Sequence, residues 1–118
     1  MLLENVKSAL VLAPHTDDGE LGCGGTIARL VEQGTEVHLA AFSPCRKSVP
    51  EGFADDVLII EQIKAAAVQG IPTRRVHQFE FEVREFPRQR QEICEELVVL
   101  RNTLRPDVVF TPLSHDVH

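Results

Sequence analysis

The chain is expected to form an open, mostly parallel α/β sheet flanked by helices in three layers. Two patterns predict it. Short apolar runs alternate with longer stretches of helical periodicity, the order that yields parallel strands joined by crossover helices. The first apolar run also leads at once into a segment rich in acids and then in glycines, the place where sheets of this kind carry ligand sites.

Ser8-Ala-Leu-Val-Leu-Ala13, ended by Pro14, reads as a first strand buried on both faces. After the polar stretch His15 to Glu20, Gly22, Gly24 and Gly25 lead into a helix over Thr26 to Gln33, with Ile27, Leu30 and Val31 on one face and Gly34 as its stop. Glu36 to Phe42 is the second buried strand, ended by Ser43-Pro44. Pro44 to Gly52 holds two prolines, a glycine and two adjacent cations, the composition of an exposed loop of functional length. A second helix is expected from about Ala54 to Gln69, with Val57, Leu58, Ile60, Ile63, Ala67 and Val68 as its apolar face. Val76 to Val83 alternates apolar and polar residues with a register slip before Phe79, which suits an edge strand. Arg88 to Leu104 carries Ile93, Leu97, Leu100 and Leu104 on one helical stripe, and Asp107 to Thr111 is the last strand.

At 118 residues the chain suits one domain. Area scaling gives roughly 19,000 Å² unfolded and about 6,400 Å² folded, so a core forms without disulfide staples. Hydrophobic residues at 43% and charged residues at 25% are ordinary for a globular chain. The net charge of −6 argues against nucleic acid and anionic membrane surfaces as partners. No apolar run approaches the ~20 residues of a membrane span, and no secretory signal is visible, so the expected location is cytoplasmic. Cys23, Cys45 and Cys94 are odd in number and widely spaced, which fits buried thiols in a reducing compartment. The chain ends just after a strand, in a loop where such folds place function, and so reads as the first part of a longer domain. The exposed edge of the last strand offers a surface for homo-oligomer formation.

The chemistry concentrates in Pro14-His-Thr-Asp-Asp-Gly-Glu-Leu-Gly-Cys-Gly-Gly-Thr-Ile27, with one imidazole and three carboxylates at the end of the first strand. His15 and Asp18 supply nitrogen and oxygen donors that suit zinc and its neighbours. A catalytic zinc takes a third protein ligand, and the loop after the last strand offers His115, Asp116 and His118. Asp17 is then left as a general base for a metal-bound water. Against this stands the plain alternative that Asp17-Asp18 is a solvated turn or helix cap. The glycines miss the dinucleotide fingerprint, and His38 and His77 are expected to be packed rather than ligating. Arg74, Arg75, Arg84, Arg88 and Arg90 are candidates for an anionic pocket, set against the ordinary placement of arginine at the surface.

The segment Pro14 to Ile27 resembles the first motif of the LmbE-like family, also called the PIG-L deacetylases. Similarity extends to Val37 to Ser43, to Glu61, Ala65 and Gly70, and to Arg105-Pro-Asp-Val-Val-Phe-Thr-Pro112, while Asp116-Val-His118 resembles the opening of the family's second motif. The resemblance implies a Rossmann-like fold and one divalent metal, usually zinc, that serves to hydrolyse N-acetyl groups from amino sugars and their conjugates. Carried over by motif, His15 and Asp18 are metal ligands, Asp17 is the general base, and His118 stabilises the oxyanion or handles the leaving-group proton. The third ligand falls three residues after His118, and complete members are about twice this length. Thr16 replaces the usual proline, Glu20 stands one place beyond a common glutamate, and Leu58 falls where many members have an arginine. Two other classes compete. A phosphate-receiving signalling domain lacks its aspartate and lysine here, whereas a non-catalytic relative that binds a sugar or a partner keeps every feature except the third ligand.

Overall fold

The computed structural model describes residues 3–116. Ser8–Ala13 forms β1, Asp18–Glu32 α1, Glu36–Ala41 β2, Val57–Val68 α2, Val76–Gln78 β3, Arg90–Leu104 α3 and Val108–Phe110 β4. Short 3-10 turns at Arg46–Ser48, Thr73–Arg75 and Phe86–Gln89 lie in the connections. The strands form one parallel sheet in the order β3-β2-β1-β4. The expected open α/β sheet with flanking helices is the fold observed.

Continuous apolar strands arise because both faces of the sheet are covered. Ala9, Val11, Ala13, Val37 and Leu39 pack against Ile27 and Leu30 of α1 and Ala66 of α2. The alternate residues Leu10, Ala40 and Phe42 meet Leu100 of α3, with Ile93, Leu97 and Leu104 alongside. Below the sheet's amino end the Asp107 carboxylate accepts the backbone N–H groups of Lys7 (2.8 Å) and Ser8 (3.1 Å), which lowers its pKa and ties β4 to β1.

Four expectations need correction. The first helix begins at Asp18 rather than Thr26, taking the glycines inside it with a kink at Cys23 (φ −139°, ψ 25°). Gly19 explains why a glycine serves there, since a Cβ would lie 2.6 Å from Leu39 Cδ1 on β2. On α2 the buried residues are Gln62 and Ala66, whereas Ile60 and Val68 are exposed. A helix apolar on most sides leaves its buried face under-determined, and tertiary partners choose it. The edge strand stops at Gln78, yet Phe79 and Phe81 still donate backbone hydrogen bonds to Ala41 and Phe42 while their rings stack on Phe42. Finally, the three cysteines are free, but Cys94 is exposed rather than buried.

The folded surface of 7,710 Å² exceeds the ~6,400 Å² expected for this mass. Both sheet edges are open, and Leu21, Val109 and Leu113 stand exposed. Among the described residues no helix is long and apolar enough to cross a membrane.

Candidate active site

The order β3-β2-β1-β4 puts the turns leaving β1 and β4 side by side at the carboxyl ends of the strands, where the direction of winding reverses. The turn leaving β1 carries His15, Thr16, Asp17 and Asp18 straight into α1. One oxygen of Asp18 holds this turn together. Asp18 Oδ2 accepts the His15 backbone N–H at 2.8 Å and lies 3.1 Å from His15 Nδ1. The His15 ring also stacks on Phe86, with centroids 6.1 Å apart and planes 20° from parallel.

Asp17 occupies the N-cap position of α1 but makes no side-chain capping bond. Its carboxylate is exposed and lines a cleft of about 490 Å³ with His15, Glu20, Gln62 and Arg84. The plain reading of Asp17 as a helix cap therefore does not hold in its usual form. Glu20 sits one turn further on. Burial pushes its carboxyl above the usual range, and the Asp17 and Asp18 carboxylates add to the rise against its own backbone N–H.

A second groove of about 580 Å³ runs between the carboxyl ends of β1 and β4, and His15 and Asp18 line it together with Cys23, Phe110, Leu113 and Asp116. His115 and Asp116 are exposed on the loop after β4, while His118 lies outside the described residues. Among the described residues no set of three His, Cys, Asp or Glu side chains is arranged to hold a metal. The donor set at His15 and Asp18, one imidazole nitrogen beside one carboxylate oxygen, fits two of the three protein positions of a catalytic zinc.

The remaining candidates separate. His38 is buried, with Nδ1 3.0 Å from His77 Nε2 and Nε2 2.8 Å from Glu36 Oε1, so both histidines are packed as expected. Of the five candidate arginines, Arg84 lines the cleft, Arg75 pairs with Glu36 at 3.6 Å and Arg88 pairs with Glu85 at 3.1 Å. Burial raises the Cys23 thiol pKa, which suits a quiet packed thiol. The loop after β2 meets the 80–84 segment through Arg46–Glu80 (3.2 Å) and Lys47–Glu82 (3.0 Å), and both segments wall the cleft. Gln62 escaped the sequence reading, because a glutamine within an apolar helix carries no pattern of its own. Its spacing of four from both Leu58 and Ala66 was the available signal.

The model for PIG-L: GlcNAc-PI de-N-acetylase matches residues 10–118. The chain belongs to the PIG-L family. Diacetylchitobiose deacetylase of Thermococcus kodakarensis is 27% identical to it over 113 residues, covering 92% of this chain and 41% of that relative. The solved N,N'-diacetylchitobiose deacetylase from Pyrococcus horikoshii, complexed with its inhibitor MPG, superposes with a TM-score of 0.81 at 26% identity, covering 98% of this chain and 45% of that one. The conserved protein TT1542 from Thermus thermophilus gives a TM-score of 0.71 at 33% identity, over 96% of this chain and 49% of the other. This PIG-L chain thus spans less than half the length of these relatives.

Proposed function

We propose that this chain carries the catalytic turn of a metal-dependent hydrolase that removes the N-acetyl group from an amino sugar or sugar conjugate. The observation that carries the reading is the convergence of His15 and Asp18 to 3.1 Å beside an Asp17 carboxylate that the helix does not use. Membership of the PIG-L family and the names of the two diacetylchitobiose deacetylases supply the substrate class.

His15 and Asp18 would hold a zinc-type cation, with the third ligand coming from outside the described residues. When bound, such a cation polarises an acyl oxygen and lowers the pKa of a water ligand toward neutrality. The chain's own residues do the rest. Asp17, open to the cleft, accepts the proton of the attacking water as general base. Phe86 and the Asp18 bond to the His15 backbone keep the imidazole oriented. By family resemblance His118 stabilises the oxyanion or protonates the leaving amine. Leu58 lines the cleft where many members present an arginine, so the acyl-sugar wall is less cationic here.

The test is zinc calorimetry of the full-length protein alongside acetate release from N,N'-diacetylchitobiose. We expect zinc binding that His15→Ala and Asp18→Ala abolish, and an Asp17→Asn variant that retains zinc but loses roughly 10²- to 10⁴-fold in rate. Zinc affinity unchanged in both ligand variants would overturn the metal assignment. Sugar binding without zinc or hydrolysis would favour the non-catalytic binding module instead.

A further inference from the structure

Within the cleft, a second feature joins α2 to the first turn of α1. Gln62 on α2 is 2% exposed, and its carboxamide orientation is set by its neighbours. Gln78 Nε2 donates to the Ile59 carbonyl at 3.2 Å, which fixes that atom as the nitrogen. The same nitrogen lies 2.8 Å from Gln62 Oε1, which must then be the acceptor. The Gln62 amide group is thereby turned away from β3, and its Nε2 has no hydrogen-bond partner among the described residues. Glu20, which lines the same cleft, likewise has a buried Oε1 without a partner.

A buried donor and a buried acceptor left unpaired in one cleft are costly, and native structures rarely retain them without a reason. One chemical group satisfies both, because a hydroxyl accepts one hydrogen bond and donates another. We propose that the cleft floor is a recognition subsite for a sugar hydroxyl, with Gln62 Nε2 donating to it and Glu20 Oε1 accepting from it. The inference deepens the proposed function by assigning sugar-ring recognition to Gln62 of α2 and Glu20 of α1, and it rests on that reading for the identity of the ligand. Gln78 is the positioning residue, since it fixes which end of the Gln62 amide meets the cleft.

The experiment follows the Gln62 side-chain amide signal by ¹⁵N NMR in the whole chain, identified by its disappearance in Gln62→Glu. Three probes are titrated: N,N'-diacetylchitobiose, the fully deacetylated glucosamine dimer, and acetamide. We expect the signal to move with both sugars and to stay in place with acetamide. Gln62→Glu, which still accepts from Gln78 but cannot donate, should weaken both sugars by about tenfold or more. The wild-type measurement requires no variant to fold. A Gln62 signal unmoved at saturation with sugar, absence of binding by either sugar, or undiminished affinity in Gln62→Glu would each overturn the subsite. If the glucosamine dimer moves the signal but no acetate is ever released, the deacetylase reading fails while the subsite stands. If acetate is released while the signal stays fixed, the subsite alone fails.

Discussion

Gly70 ends α2, and replacing it with alanine probes how firmly that helix is set against α1. Its φ of +85° lies in the left-handed region, and a Cβ there would come 2.7 Å from Val31 Cγ1. The backbone explains the conformation. Ile71 N–H bonds the Ala66 carbonyl at 2.9 Å and Gly70 N–H bonds the Ala67 carbonyl at 3.0 Å, the paired reverse bonds that close a helix with a left-handed residue. The left-handed conformation costs alanine about 1–2 kcal/mol. Crowding a packed site adds about 1–3 kcal/mol. Val31 cannot swing aside cheaply, because a β-branched side chain in a helix is confined largely to one rotamer. We therefore expect Gly70→Ala to lose about 2–5 kcal/mol in urea unfolding, a midpoint shift of about 2 M for 3 kcal/mol at an m of about 1.5 kcal/mol/M. Gly34 supplies the reference, since its φ is +89° and nothing lies within 4 Å of its Cβ position. Gly34→Ala should cost only the conformational share, and adding Val31→Ala to Gly70→Ala should recover much of the difference. Equal losses in Gly70→Ala and Gly34→Ala would refute the argument that the α1–α2 contact is rigid.

Other expectations are more local. Phe86→Leu removes the ring stacked on His15 and should weaken zinc about tenfold without abolishing it, with Phe86→Tyr restoring affinity; calorimetry reads both. Burial, assisted by neighbouring His38, lowers the His77 pKa below 6.5. The folded protein then binds fewer protons than the unfolded chain as pH falls from 6.5, so stability is full above that pH and is lost through the folded pKa. His77→Gln should flatten this slope in urea titrations at a series of pH values. The Glu36 carboxyl, held low first by its hydrogen bond from His38 and then by Arg75, loses its contribution only below its ordinary value of 4.5, a separate and more acidic window. Gly19→Ala pits better helix propensity, about 1 kcal/mol, against the 2.6 Å approach to Leu39 Cδ1. A net loss in thermal unfolding is expected, because Leu39 is fully buried and has nowhere to move.

The fold was legible where burial on both faces imposes a continuous apolar run. Ala9 to Ala13 and Val37 to Phe42 read as strands because, His38 apart, each residue is apolar whichever way it points. The stripe on α3 was equally plain, with Leu100 packed in the core beside Ile93, Leu97 and Leu104, even though Val98 and Val99 stand exposed outside it. The first half of α1 was not legible, because Gly22, Gly24 and Gly25 depress helix propensity, and only the sheet that Gly19 lets approach makes helix the better choice there. The face of α2 was misread for a related reason. Most of its positions are apolar, so the sequence contains no contrast from which to choose a side, and the face buried is the one that packs Ala66 into the core and bonds Gln62 to Gln78, sixteen residues away.

The same distinction divides the candidate site. Its first part was visible because His15, Asp17 and Asp18 fall within four residues, so the turn that assembles them is local and the chain itself brings imidazole and carboxylate together. Its second part, made of Gln62 from α2, Arg84 from the segment after β3 and Ser48 from the loop after β2, is assembled only by tertiary contacts. Chemistry that depends on a fixed short spacing is therefore written in the sequence, whereas recognition is carried by scattered side chains whose neighbours are set by the sheet order. Leu58 illustrates the consequence. An apolar residue in the cleft wall leaves the turn after β1 untouched but alters the chemistry that the wall presents. Variation in substrate should accordingly map to α2 and the two loops facing it, and constancy of reaction to the turn after β1.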